Sequence, residues 1–169
     1  MEPIPRSAEP ATLAAISPSD VAALVESARA LQCGAAVGAP AQWLRGKKFA
    51  LLCGADEAHS AEADLLERAA VALGARVAHI HPRLTELSTV QDVQQTAHML
   101  GRLYDAVVCE GLAPALVQRL RVEAGVPVHD RILSTGQTVA TTVGMQAVPG
   151  SAADHLRYVL QALLLKAIG

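Results

Sequence analysis

Aromatic side chains make up only 2% of this chain, with one Trp, one Phe and two Tyr. That leaves few flat faces on which single-stranded bases could stack. A formal net charge of -2 supplies no global field to attract a polyanion, so nucleic acid is not an expected partner. Apolar runs are short. None approaches the roughly 18 residues that a membrane-spanning helix needs, so no membrane partner is expected either. The three cysteines, Cys33, Cys53 and Cys109, are an odd number without the spacing of a ligand set. No disulfide framework or metal site follows from them, and a reducing, cytoplasmic setting fits them best. Residues 1–15 carry one Arg and no apolar core, so they do not read as a signal peptide.

What is abundant is aliphatic. Hydrophobic residues form 51% of 169, which excludes disorder over the whole length and is enough for one domain with its own core. Residues 1–16 are rich in Pro and Ala and read as a loose arm. Ser17 then caps a helix, with Pro18 at its first position. Val21, Leu24, Val25, Ala28 and Leu31 give that helix one buried stripe, and Gly34, Gly38 and Pro40 end it. The run 48–53 is short, apolar and bounded by Gly46 and Gly54, as a fully buried strand would be. Helix and strand then alternate: helix 61–73, strand 75–80, helix 89–103, strand 105–109, helix 113–124, strand 126–129, and a further helix over 134–147. This alternation predicts parallel strands joined by right-handed crossovers, an α/β class. Residues 152–168 form an amphipathic helix with Leu156, Val159, Leu160, Leu163, Leu164 and Ala167 at spacings of three and four.

Three stretches carry a family likeness. Leu44-Arg45-Gly46-Lys47-Lys48-Phe49-Ala50-Leu51-Leu52 resembles the "L-x-G-K-x-hydrophobic" first strand of ornithine carbamoyltransferases. Gln95-Thr96-Ala97-His98-Met99-Leu100-Gly101-Arg102-Leu103-Tyr104-Asp105 is similar to their "D-T-A-R-V-L-G-R-M-Y-D" segment, and Gly125-Val126-Pro127-Val128 to their fourth strand. The likeness runs over about 17–148, in the order and spacing of the carbamoyl-phosphate domain of the ornithine and aspartate enzymes. It implies a three-layer α/β/α sandwich on a four-stranded parallel sheet of order 2-1-3-4, with a site at the C-terminal ends of the strands. The tail from Asp154 to Leu165 resembles the family's C-terminal helix, which implies that 151–169 packs back on the domain 17–150. No counterpart of the family's second domain is expected; a short link at 148–151 stands in its place.

The family's ligand motifs fare differently. Its phosphate loop after strand 1, Ser-Thr-Arg-Thr-Arg, sets arginine forks and hydroxyls at a helix start, which suits a phosphate dianion. The same place here, 54–64, holds Asp56, Glu57, Glu62 and Asp64 and no Arg or Lys. At roughly 4–6 Å each such acid repels a phosphate charge by on the order of 1 kcal/mol. The family's Arg after strand 3, which polarises the carbamoyl carbonyl, falls on Glu110, and its His-Pro-Thr-Gln falls on Ser134-Thr135-Gly136-Gln137. The Gly-Glu pair of the family falls on Val90-Gln91.

The resemblance thus implies a carbamoyltransferase-like domain with a depleted site. The expected role is a non-catalytic binder of a small molecule or an assembly protein. The alternatives are an enzyme of this class acting on a carbamoyl- or carboxyl-bearing substrate, and an accessory subunit docking on a true carbamoyltransferase. Ligand-binding candidates are His59, Ser60, Glu110, Ser134 and Gln137; no catalytic residue, metal or cofactor is assigned. The family's habit of trimerising implies a homo-oligomer, trimer first and dimer second.

Other groupings carry weaker readings. Cys53, Cys109, His79, His81 and His129 fall near strand ends, where a soft metal or thiol pair would want such donors; buried hydrophobes and surface histidines are the plainer account. Asp56, Glu57, Glu62 and Asp64 would suit a cation or basic ligand but read more plainly as a solvated loop and helix face; Arg119, Arg121 and Arg131 would suit an anion but read more plainly as solvated helix-surface charges; Arg45, Lys47 and Lys48 read as the polar lead-in to a strand, and Trp43 as a packing anchor rather than a binding platform.

Overall fold

The computed structural model describes residues 16–39, 42–54, 61–142 and 150–169. The elements are α1 (Pro18–Ala36), β1 (Lys48–Cys53), α2 (Ala61–Ala72), β2 (Arg76–Ile80), α3 (Val90–Leu103), β3 (Ala106–Glu110), α4 (Pro114–Glu123), β4 (Val128–Asp130), α5 (Ile132–Thr142) and α6 (Ala152–Ile168). The four strands form one parallel sheet in the order β2-β1-β3-β4. Fold class and strand order are those the sequence implied.

The period of two along each strand divides the interior into two cores. Phe49, Leu51, Ala106 and Val108 face a core completed by α1, α2, α5 and α6. Ala50, Leu52, Val107 and Val128 face a second, completed by α3 and α4. Every residue of β1 after Lys48 is buried, because both faces are covered.

Helix ends follow local chemistry. The Ser17 side chain caps α1 by accepting the Asp20 N–H. Thr89 caps α3 in the same way through Asp92. Ser151 and Asp154 form a reciprocal capping box at the start of α6. α1 runs through Gly34 to Ala36, and the chain turns at Gly38, where φ is +75°; Gly34 does not interrupt it. The expected helix over 134–147 begins earlier, at Ile132, and its last part, 143–147, lies outside the described residues.

α6 departs most from its pattern. Its stripe predicts one buried side, yet Tyr158, Gln161 and Ala162 are buried as well. α1, α2 and α5 all pack on it. Gln161 meets its hydrogen-bonding needs there by donating Nε2–H to the Ala69 carbonyl at 3.2 Å. On the α5 side, a Cβ at Gly136 would lie 2.6 Å from Leu160 Cδ2, so a larger residue there would have to push the Leu160 side chain aside.

Trp43 is no packing anchor. It is 71% exposed, and its neighbour Leu44 is the buried residue. The turn over 43–46 points Leu44 inward, where its N–H donates to the Leu73 carbonyl at 2.9 Å.

Candidate functional site

β1 leads through α2 to β2 across one face of the sheet; β3 leads through α4 to β4 across the other. The connections therefore diverge between β1 and β3, and an open α/β sheet forms a crevice at the C-terminal ends of such a pair. Two glycines shape it here. The Gly54 N–H donates to the Glu110 carbonyl at 2.9 Å. A Cβ on Gly54 would lie 2.4 Å from the Gly111 carbonyl oxygen, and Gly111 itself has φ +69°. A cleft of roughly 900 Å³ opens beside them, with His81, Arg83, Leu84, Leu87 and Leu112 in its walls. Arg83 escaped the sequence reading because no motif marks it. It places an exposed cation in the loop after β2.

Glu110 is the last residue of β3 and is 8% exposed. Its Oε1 accepts the backbone N–H of Leu133 at 3.0 Å. A carboxylate at a helix start is favoured both by the free N–H and by the helix dipole. At the place where the resemblance implies a cation, this chain thus has an acidic side chain engaged by its own α5.

Ser134 and Gln137 lie one turn apart on α5. Ser134 is exposed and its hydroxyl donates to the Arg131 carbonyl at 3.2 Å; Gln137 is half-buried. Neither lines the cleft, whose walls come from the loops after β1, β2 and β3. His59 and Ser60 lie outside the described residues, as does the stretch 55–60 that holds them. Glu110 therefore meets the start of α5, and the described candidates do not converge on one cavity.

The arginines are occupied in ways the sequence reading did not anticipate. Arg121 is clamped to β4: its Nε donates to the Val128 carbonyl at 3.1 Å, and its NH2 meets Asp130 Oδ1 at 3.1 Å, with both side chains 15% exposed. Arg119 donates to the Glu86 carbonyl at 3.4 Å and to that of Ser88 at 2.9 Å, which ties the loop after β2 to α4. Arg131 precedes α5 with φ +58°, a left-handed conformation uncommon outside glycine.

Cys53 and Cys109 end up on opposite faces of the sheet. The register pairs Leu52 with Cys109 and Cys53 with Glu110, so one thiol enters each core. Burial, followed by the nearby charges of Asp130 and Glu110, pushes the Cys109 thiol up to about 12. No cluster of three or more His, Cys, Asp or Glu among the described residues is placed to hold a metal ion. His79 is engaged with Glu67, 2.7 Å from its carboxylate. Burial holds His129 below the ordinary histidine range, partly offset by its bond to the Ala167 backbone. Among the described residues no helix is long and apolar enough to cross a membrane.

Fold and crevice define a class: a doubly wound α/β domain whose opening lies at the switch point of its sheet. Comparison with known proteins makes this particular. No family model matches the chain. The ornithine carbamoyltransferase of Haemophilus influenzae (strain PittGG) is 32% identical over 107 residues, 63% of this chain and 31% of that protein. A catabolic ornithine carbamoyltransferase from another strain of the species matches with the same figures. Among solved structures, ligand-free aspartate transcarbamoylase from Trypanosoma cruzi superposes with a TM-score of 0.63 at 18% identity, over 82% of this chain and 46% of that one. Ornithine carbamoyltransferase from Pyrococcus furiosus gives 0.60 at 20%, over 77% and 42%. The relatives in sequence and the neighbours in fold are thus ornithine and aspartate carbamoyltransferases, and the matched extent is consistent with a single domain of such an enzyme. The chain spans about a third of the length of the curated relatives and under half of the solved chains.

Proposed function

We propose that this chain is a carbamoyltransferase-like domain that performs no carbamoyl transfer, and serves instead as a small-ligand binder or an assembly protein. The observation that carries this reading is Glu110. Carbamoyl transfer needs positive charge on the leaving phosphate and on the carbonyl oxygen as it becomes anionic, and removing one such donor costs about 2–4 kcal/mol. At the second of these places the chain holds a buried carboxylate already bonded to Leu133. Four acids in 54–64, with no Arg or Lys, support the same reading at the first. Like its relatives' names suggest, the scaffold comes from a transferase; the charges at its crevice are those of a different use.

Self-association belongs to this proposal, as a trimer first and a dimer second. Light scattering at tens of micromolar protein tests it, and a monomer there would refute it. The catalytic part is tested by incubating the pure protein with carbamoyl phosphate and either ornithine or aspartate. The expected result is neither citrulline nor carbamoyl-aspartate.

A second reading has one observation in its favour. Arg83 stands exposed in the cleft wall and offers a guanidinium fork to a carboxylate or carbamoyl group. On that reading the domain handles a carboxyl-bearing substrate, and Arg83→Ala abolishes the binding of small carboxylates. Retention of that binding in Arg83→Ala would remove it.

A further inference from the structure

The end of the sheet opposite the cleft carries a concentrated positive patch. Arg45, Lys47, Lys48 and Arg76 are all exposed. Three backbone relations bring them together. Lys48 and Arg76 are register partners on β1 and β2. The Arg76 N–H donates to the Lys47 carbonyl at 2.9 Å. A Cβ on Gly74 would lie 3.1 Å from the Cα of Arg45. Among the described residues none of these four cations is in an ion pair. The Asp105 carboxylate adjoins them: its Oδ2 accepts the Lys48 backbone N–H at 2.8 Å. The chain as a whole is negative, at -2, so this cluster is segregated from the rest of its charge.

Trp43 stands beside the cluster. Its turn is pinned by Arg45 N–H to the Gln42 carbonyl at 3.1 Å and by Lys47 N–H to the Leu44 carbonyl at 3.0 Å, while Leu44 is anchored in the core. The indole is therefore held out in solvent on a fixed support. Trp and Arg are the residues on which interface energy most often concentrates. An aromatic held on a fixed turn beside a cluster of cations is preorganised, so little ordering entropy is lost when it is covered.

We propose that this surface docks an acidic segment of a partner protein, with its carboxylates on the four cations and an apolar side chain on Trp43. Charge complementarity selects the occupant. Guanidinium groups match carboxylates in forked geometry, and lysines add unspecific attraction. A nucleic acid strand fits less well. It presents a uniform row of phosphates, one of which would meet Asp105, and it needs successive stacking platforms where the patch has one ring. A peptide can place a neutral residue opposite Asp105. This inference stands apart from the reading of the cleft and does not depend on it.

The single Trp makes the test direct, since all indole emission comes from Trp43. The probe is a short synthetic peptide in which glutamates flank one leucine, titrated into the full chain at low salt. The expected result is a saturable shift of emission to shorter wavelength. Apparent affinity should fall at least about tenfold in a Lys47→Glu/Arg76→Glu variant of unchanged melting temperature, and fall likewise as salt rises. Arg131→Glu, at the other end of the sheet, should bind as the parent does. Calorimetry on Trp43→Ala should show weakened binding. The proposal is overturned by an unmoved emission spectrum, by an equal loss in Arg131→Glu, or by an oligothymidylate that binds more tightly than the peptide.

Discussion

Replacing Glu110 by Ala removes a buried acceptor and leaves the Leu133 N–H at the start of α5 without it. A hydrogen bond to a charged group contributes about 1.5–3 kcal/mol, and an orphaned buried donor costs about 1–3 kcal/mol in desolvation. These overlap, so the expected loss for Glu110→Ala is about 2–4 kcal/mol. Glu110→Gln separates geometry from charge. Its amide oxygen can still accept from Leu133, so only the interaction of the charge with the helix end is lost, about 0.3–1 kcal/mol and at most about 2. Urea denaturation followed by circular dichroism measures both, with an unchanged slope required so that the shift in midpoint reports stability. Equal losses in Gln and Ala would show that the charge, not the hydrogen bond, is what the site uses. An Ala variant within about 0.5 kcal/mol of the parent would show that Glu110 is a spectator.

Other outcomes are equally open to measurement. Gly101→Ala would push a Cβ to 1.9 Å from the Ala124 carbonyl oxygen, backbone against backbone, so a loss of at least about 1–3 kcal/mol is expected; a neutral result by thermal melting would refute that packing. His129 has its folded-state pKa below the unfolded value because of burial, so the unfolded chain takes up its proton first. Its contribution is constant above about pH 6.5, and stability falls as pH drops below that until the folded-state value is reached. His129→Gln should flatten this part of a stability–pH curve, and an unaltered curve would contradict it. Cys33 is exposed while Cys53 and Cys109 are buried, with the Cys109 thiol pushed up to about 12. An aromatic disulfide reagent should therefore modify one thiol rapidly in the native chain and three after denaturation, and rapid modification of a second would argue against the burial.

The sheet was legible because its strands are short, with a glycine near at least one end of each (Gly46 and Gly54 around β1, Gly74 before β2, Gly111 after β3, Gly125 before β4), and because they alternate with helical stripes. β1 was readable to the residue, since Lys48 and Gly54 bound an unbroken apolar stretch. β3 was not, because an acid such as Glu110 reads as the residue after a buried strand; its backbone pairs with Cys53, its carbonyl accepts the Gly54 N–H, and its buried carboxyl meets the Leu133 N–H. The separation of Cys53 and Cys109 was hidden because nearness of strands says nothing of register, and a one-residue offset places the two on opposite faces. α6 looked one-sided because periodicity counts apolar residues, whereas Gln161 and Tyr158 are buried by the three helices around it. Arg83 escaped because a single cation in a loop carries no pattern, and only the closeness of the loops after β1, β2 and β3 puts it in a cleft. Trp43 misled because a lone Trp is usually core, and the alternation within its turn gave the inward place to Leu44.

On the proposed function, the crevice of this transferase-like domain does not accept carbamoyl phosphate. Titration calorimetry of carbamoyl phosphate into the pure protein, up to millimolar concentration, tests this most directly. The account predicts no saturable heat. Saturable binding, accompanied by citrulline formation with ornithine, would contradict it.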